Sequence, residues 1–255
     1  MATRVSDSGG AADRQRRVQA ALVRFLLRDL RALRALLRPS SPASASDWIA
    51  AVGSLVDQYS TASAAAAATS YEEQRAAAGV RGRFTADPAP APPEEQVAAT
   101  LRWAASDVWD GGDVATAHTR AEGAMERLVL NRGRDTMQQA VRRDREAVAW
   151  ARGAALGACY FCALMASRGA VYKTAGTAGR DADETFAGEG QAKYHNNCHC
   201  VIIPVFRGQT FELSRHAEAW DQLYREHAQG HPGEQLRLFR AAFAEHQQAH
   251  GRPTH

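Results

Sequence analysis

Lysine is nearly missing from this chain: Lys173 and Lys193 are its only two among 31 basic residues, and arginine supplies the rest. With alanine so abundant, that choice reads as a codon bias toward G and C, a property of the genome and not of a mechanism. No apolar run approaches the ~18 residues of a membrane-spanning helix, so no membrane contact is expected. The N-terminal stretch Met1-Ala-Thr-Arg-Val-Ser has no apolar core after its charge, which predicts no secretory signal, a cytosolic address and reduced thiols. A formal charge of +3 is too small to argue for nucleic acid by itself. Gly176-x-x-Gly179 lacks the lysine and helix start of a phosphate-cradling loop. Neither a Gly-x-Ser-x-Gly elbow nor a His-Glu-x-x-His helix occurs. At 255 residues there is core enough for one large domain or two small ones.

Cysteine is also scarce, and its distribution is the most informative feature. All four lie in Cys159-Tyr-Phe-Cys162 and His195-Asn-Asn-Cys198-His-Cys200. Two short clusters separated by a loop suit a tetrahedral zinc ion, because each can give two ligands from one tight turn. Cys159 and Cys162 form the first pair. His195 with Cys198 repeats its spacing, and Cys198 with Cys200 competes as the second pair. The candidate ligands are therefore Cys159, Cys162, His195, Cys198 and Cys200, with His195 and Cys200 as alternatives for the fourth place. Two disulfides, inert buried thiols or a catalytic metal are the competing readings. Five candidates already exceed what a closed structural site needs, and no position is marked as open to water.

Outside this window the pattern is helical almost everywhere, which predicts a mainly α fold. Val18, Leu22, Phe25, Leu26, Leu30, Leu33 and Leu37 recur at steps of three and four, giving an apolar stripe on a helix over 14–38. Its arginines make a solvated face, or a helix that docks into a partner's groove. Residues 1–40 hold nine arginines against three aspartates, but no motif supports a contact with DNA. Pro39 ends this helix, and Ser46 or Asp47 is a candidate cap for the next. That helix carries Trp48, Val52, Leu55, Val56 and Tyr59 and then an alanine run to about Gly79. Thr85-Ala-Asp-Pro-Ala-Pro-Ala-Pro-Pro is a stiff connector. A third helix starts at about Pro93. Gly111-Gly112 breaks it, Asp113 caps the next, and that stretch, with a bend near Gly133, continues through Met137, Val141 and Val148. The expected organisation is an N-terminal helical region 1–84, a Pro-rich linker 85–96, a helical body 97–158, a zinc-binding hairpin module 159–206, and C-terminal helices with a polar tail over 207–255.

Within the module, Gly169-Ala-Val-Tyr-Lys173 and Val201-Ile-Ile-Pro-Val-Phe206 read as the two strands of a short hairpin clamped by zinc. Pro204 places the second on an edge. Arg168 is a candidate for offsetting thiolate charge. Glu212, Ala217, Trp220, Leu223 and Tyr224 suit one C-terminal helix, and Leu236, Leu238, Phe239, Ala242 and Phe243 another. His246, His250 and His255 read as solvated.

The run Cys159-x-x-Cys162-x-Leu164-x-Ala166-Ser167-Arg168-Gly169-x-Val171-Tyr172, followed by Tyr194-His195-x-x-Cys198-x-Cys200 and Val201-x-x-Pro204-Val205, resembles the signature of tailed-phage MuF-like minor capsid, or head-morphogenesis, proteins. The resemblance is nearest to the form in phages of actinobacteria that is often labelled a capsid maturation protease. It covers about fifty residues; the helical N-terminal part agrees only in order and character. It implies a minor capsid protein acting in procapsid assembly near the portal, with portal, scaffold or major capsid protein as partners. The implied location is the host cytoplasm during assembly and then the virion. It also implies a helical body with a small metal module.

The alternative it implies is a protease that trims shell or scaffold. Ser167, His195, His199 and Asp181 or Asp183 supply the residue types for such chemistry without a recognisable constellation. An HNH-like nuclease is a third reading, weakened because the second pair is Cys-x-Cys and no Asp-His or Glu-His step precedes an asparagine and a later histidine.

Overall fold

The computed structural model describes residues 3–39, 41, 43–109, 111–171 and 196–250. In chain order these form β1 (Thr3–Ser6), α1 (Gly10–Ala32), α2 (Ser44–Ala77), α3 (Glu94–Ala104), α4 (Val114–Arg143), β2 (Ala147–Gly153), α5 (Tyr160–Ser167), β3 (Val201–Phe206), β4 (Gln209–Glu212), α6 (Arg215–His227) and α7 (Gln235–His250). The fold is mainly helical, with two small two-stranded sheets among the described residues.

Small residues let the two longest helices approach closely. Ala64, Ala67 and Ala68 of α2 are buried, and a Cβ on Gly133 of α4 would lie 2.9 Å from Ser63 Oγ. The alanine run thus packs, and α4 continues as α-helix through Gly133 without the expected break. Asp113 caps α4 as its sequence predicts, accepting from Ala115 N at 3.1 Å and Thr116 N at 3.0 Å. α2 starts earlier than expected: Ser44 fixes the entry by bonding the Arg38 backbone N–H at 2.9 Å and carbonyl at 3.2 Å, so neither Ser46 nor Asp47 is the cap.

Leu26, Leu30, Trp48, Val52, Val56, Val97, Leu101, Met125 and Val129 form one core cluster shared by α1, α2, α3 and α4. The Pro-rich segment runs along this body: the Ala86 N–H donates to Glu72 Oε1 at 3.0 Å and the Ala89 N–H to Thr136 Oγ1 at 2.9 Å. Arg75 binds Asp144 Oδ2 at 2.8 Å and the Gly82 carbonyl at 2.7 Å, while Tyr71 donates to the same carboxylate oxygen at 3.1 Å. These bonds place the end of α4, and so the start of β2.

β2 departs from the sequence reading, which carried the helix through Val148. It pairs antiparallel with β3, Trp150 opposite Pro204 and Gly153 opposite Val201. The partner of β3 therefore precedes the cysteines. The expected strand 169–173 is not one over 169–171, and 172–173 lie outside the described residues. Pro204 is tolerated because β3 is an edge strand of its sheet. β1 pairs parallel with β4, Val5 opposite Phe211, so Glu212 belongs to a strand and not to the helix expected there. α6 and α7 follow as predicted and bury Trp220, Phe239 and Phe243.

Candidate metal centre

A short helix with a thiol at its N-terminus faces a tight turn. Cys159 is the residue capping α5, its Sγ accepting from the Cys162 N–H at 3.4 Å. Across from it, residues 196–200 form a turn before β3, with Asn197 held at φ 59. The left-handed region is one that asparagine tolerates.

The turn brings three buried thiols together. The Sγ atoms of Cys162, Cys198 and Cys200 all lie within 4.8 Å of one another, and Cys162 Sγ is 3.4 Å from Cys198 Sγ. The Cys159 thiol adjoins them through a hydrogen bond to that of Cys162. All four cysteines are free, which removes the reading of two bridges. Sulfurs around a tetrahedral zinc with Zn–S ≈ 2.3 Å stand about 3.8 Å apart. The observed gathering is on that scale and far from the ~2.05 Å of a disulfide. Three buried cysteines in such an arrangement form a group that could hold a metal. His195 lies outside the described residues, as do Asp181 and Asp183.

Hydrogen bonding within the cluster sets the Cys198 thiol apart from its neighbours. Hydrogen bonds from Cys162 and Cys200 hold the Cys198 thiol far below its ordinary value against the cost of burial, and Arg134 adds to this. Cys162 is pushed far above its ordinary value by hydrogen bonds to Cys159, Cys198 and Cys200, and then by burial. Cys200 is pulled down by Cys162, but its bond to Cys198, burial and the Cys198 charge outweigh that and push it up to about 12.

Two buried arginines that the sequence does not single out act on the thiols. Arg134 on α4 is 1% exposed and Arg152 on β2 is 2% exposed. Arg134 Nε donates to the Cys200 carbonyl at 3.2 Å, another of its nitrogens donates to the Cys198 carbonyl, and Nη1 donates to Asn131 Oδ1 at 2.9 Å. Arg152 acts on Cys200 by its charge. Arg134 thus both positions the turn and favours the charged form of the Cys198 thiol. Nothing in the sequence singles it out, because an arginine in a helical pattern reads as solvated. Further along the same helix, Glu126 Oε1 is 2.9 Å from His199 Nε2, and that contact raises the His199 pKa above its ordinary value. Gly123 leaves room for Asn196 and Asn197, whose side chains come within 3.4 Å of where its Cβ would be.

Of the hydrolytic candidates, the described Ser167 and His199 are engaged with other partners, His199 with Glu126. Ser167 Oγ is buried and donates to the Leu164 carbonyl at 2.9 Å. A serine, a histidine and an aspartate do meet away from the thiols, at Ser214, His216 and Asp7. Their order is that of a cap, since Asp7 accepts from Ser214 N at 2.6 Å and Ser214 Oγ at 2.9 Å. Ser214 in turn caps α6, and His216 Nε2 lies 3.0 Å from the Ala154 carbonyl. Ser214 Oγ also lies 3.1 Å from the His216 ring nitrogens, and Asp7 Oδ2 is 3.8 Å from His216 Nε2. The carboxylate nevertheless hydrogen-bonds the hydroxyl, and His216 Nε2 meets the Ala154 carbonyl, so the aspartate does not orient the imidazole as a general base.

No helix among the described residues is long and apolar enough to cross a membrane. A family model described as VG15 protein matches residues 7–227. No curated protein and no solved structure matches the chain.

Proposed function

The chain belongs to the VG15 protein family, a family of phage proteins, and from that premise we propose that it is a minor protein of the phage head, built in during procapsid assembly near the portal. Its partners are the portal, scaffold or major capsid protein, met in the host cytoplasm and retained in the virion. Its C-terminal module is held by structural zinc on Cys162, Cys198 and Cys200, with Cys159 as the fourth ligand. The observation that carries the metal reading is the gathering of those three buried thiols within 4.8 Å. Cys159 fits the fourth place because it caps α5 with its sulfur on the Cys162 side.

Bound there, zinc would supply a cross-link between α5 and the turn 196–200 and offset thiolate charge. The protein's own residues do the rest. Arg134 fixes the turn, Glu126 meets His199 beside it, and Trp220, Phe239 and Phe243 belong to the same buried cluster as the thiols. This is a scaffold that presents surfaces; Ser214, which lies beside His216, is engaged in capping α6 and in bonding Asp7.

The experiment that tests this is the metal content of the purified chain together with the composition of particles. One zinc per chain, lost in Cys162→Ser and Cys198→Ser, is expected. Particles assembled with these variants should contain less of the chain while the mass of the shell protein is unchanged. A shell protein trimmed only when the chain is present would replace this reading with maturation proteolysis. A chain that binds no zinc would remove the metal from it.

A further inference from the structure

Three of the four cysteines are sealed in the interior and one is not. Cys162, Cys198 and Cys200 are 3%, 2% and 2% exposed, whereas Cys159 is only partly buried. Cys159 stands at the start of α5 and Cys162 one turn further on, so the pair joins a residue that reaches solvent to one that does not. The two are already in contact. The Cys162 N–H donates to Cys159 Sγ at 3.4 Å, and the thiols share a hydrogen bond. The turn between them is held from two sides: Arg240 of α7 lies over the Tyr160 ring, 5.2 Å from its centroid, and Arg152 of β2 over the Phe161 ring at 6.0 Å.

A dithiol with one reachable and one enclosed sulfur is an arrangement in which oxidation stops at a disulfide. The thiol that reaches solvent meets a small oxidant first, and a second thiol in contact with it closes the bond before the first sulfur is oxidised further. Cys162 and Cys198 are also close, their Sγ atoms 3.4 Å apart. Both are enclosed, so neither is the first to meet an oxidant. Exposure therefore selects the entry point, and contact selects its partner.

We propose that Cys159 and Cys162 form a pair oxidised by hydrogen peroxide, with Cys159 as the attacked sulfur and Cys162 as the resolving one. Peroxide transfers one oxygen atom to the Cys159 thiol, giving a sulfenic acid and one water. The Cys162 thiol then attacks that sulfur. An S–S bond forms, the S–O bond breaks, and the hydroxyl leaves with the thiol proton as a second water. The two thiols lose two electrons and one peroxide gains them. The new bond lies wholly within the first turn of α5, so it withdraws two sulfurs from the cluster without tying α5 to the turn 196–200. Oxidation would thus leave only Cys198 and Cys200 to hold a metal. That consequence rests on the zinc reading above, whereas the disulfide itself does not.

The test is peptide mapping of the purified full-length chain after treatment with hydrogen peroxide, with released zinc measured alongside. Trypsin leaves Cys159 and Cys162 in one peptide, 153–168, and Cys198 and Cys200 in another, 194–207. Peptide 153–168 should become lighter by two hydrogens, resist alkylation and recover both thiols on reduction, while 194–207 stays open to alkylation. Cys159→Ser should slow oxidation of the remaining thiols by about tenfold or more, because it removes the reachable sulfur. Cys162→Ser should halt the reaction at a sulfenic acid on Cys159 that dimedone traps. Cys200→Ser disturbs the cluster equally but should still form the bond, which separates the dithiol chemistry from loss of metal. Peptides 153–168 and 194–207 joined through Cys162 and Cys198 would overturn the proposal, as would oxidation at an unchanged rate in Cys159→Ser. A bond that forms in a chain holding no zinc would sink the metal and leave this pair standing. A zinc-bearing chain whose peptide 153–168 keeps both hydrogens would do the reverse.

Discussion

Arg134 reaches from the interior of α4 to the backbone of Cys200, its Nε donating to that carbonyl across 3.2 Å. The same guanidinium serves the Cys198 carbonyl, so one side chain fixes both thiol-bearing residues of the turn from behind.

Arg134→Leu would leave both carbonyls buried without their donor. The expected cost is about 2–5 kcal/mol, read from the urea midpoint. Arg134→Lys should recover only part of it, because an ammonium on a flexible stem cannot reproduce a planar fork spanning two acceptors. A leucine variant within about 0.5 kcal/mol of the parent would show that the turn holds itself.

Removing metal should act locally. With a chelator, or in Cys162→Ser, amide exchange should rise across 155–171 and 196–206, while α1 and α2 keep their protection in a core that excludes the thiols. Identical exchange with and without the chelator would sink the zinc proposal.

Gly133→Ala sets two effects against each other. Alanine favours a helix over glycine by about 1 kcal/mol, but the new methyl would sit 2.9 Å from Ser63 Oγ and 3.1 Å from the Ser63 carbonyl oxygen. Overpacking costs of about 1–3 kcal/mol should win, since a backbone atom cannot move aside. The variant should melt below the parent, and Ser63→Gly with Gly133→Ala should regain part of the loss.

His118 predicts a pH dependence. It is buried on α4, its ring edge-on to Trp48 with centroids 5.8 Å apart. Burial, followed by the charge of Arg34, lowers its pKa from the ordinary 6.5. Below that value the unfolded chain takes up this proton more readily than the folded one, so the stability linked to His118 is present above pH 6.5 and lost as pH falls. Denaturation midpoints between neutral and mildly acidic pH should fall less in His118→Gln than in the parent. Parallel falls would assign the acid sensitivity to other groups.

Local signals were enough to place much of this architecture. Gly111-Gly112-Asp113 predicts the start of α4, Pro93 leads into α3, and the aromatic spacing after Leu236 predicts α7. β2 was hidden because Ala147-Val-Ala-Trp-Ala has helical composition and becomes a strand only by pairing with β3. The stripe on α1 was visible, but not its direction. Leu26 and Leu30 enter the core as expected, whereas Val18 and Phe25 face outward, because the alanine wall of α2 admits the N-terminal half only with Gln15 and Gln19 inward. At the thiols, spacing pointed to residues of which the fold gathers Cys162, Cys198 and Cys200; Arg134 and Arg152 act on them from 66 and 48 residues away in sequence, which no local pattern records.

The bond from Ser214 to Asp7 spans 207 residues. At ~5–20 residues per second of synthesis, β1 waits roughly ten to forty seconds for β4 to emerge. Throughout that interval a carboxylate destined for burial stays in water, and the first strand is an open edge. Closure therefore waits until Ser214 has been made, and a chain released before it cannot form this bond. The seam from β1 to β4 and Ser214 thus ties the start of the described fold to the synthesis of everything between them.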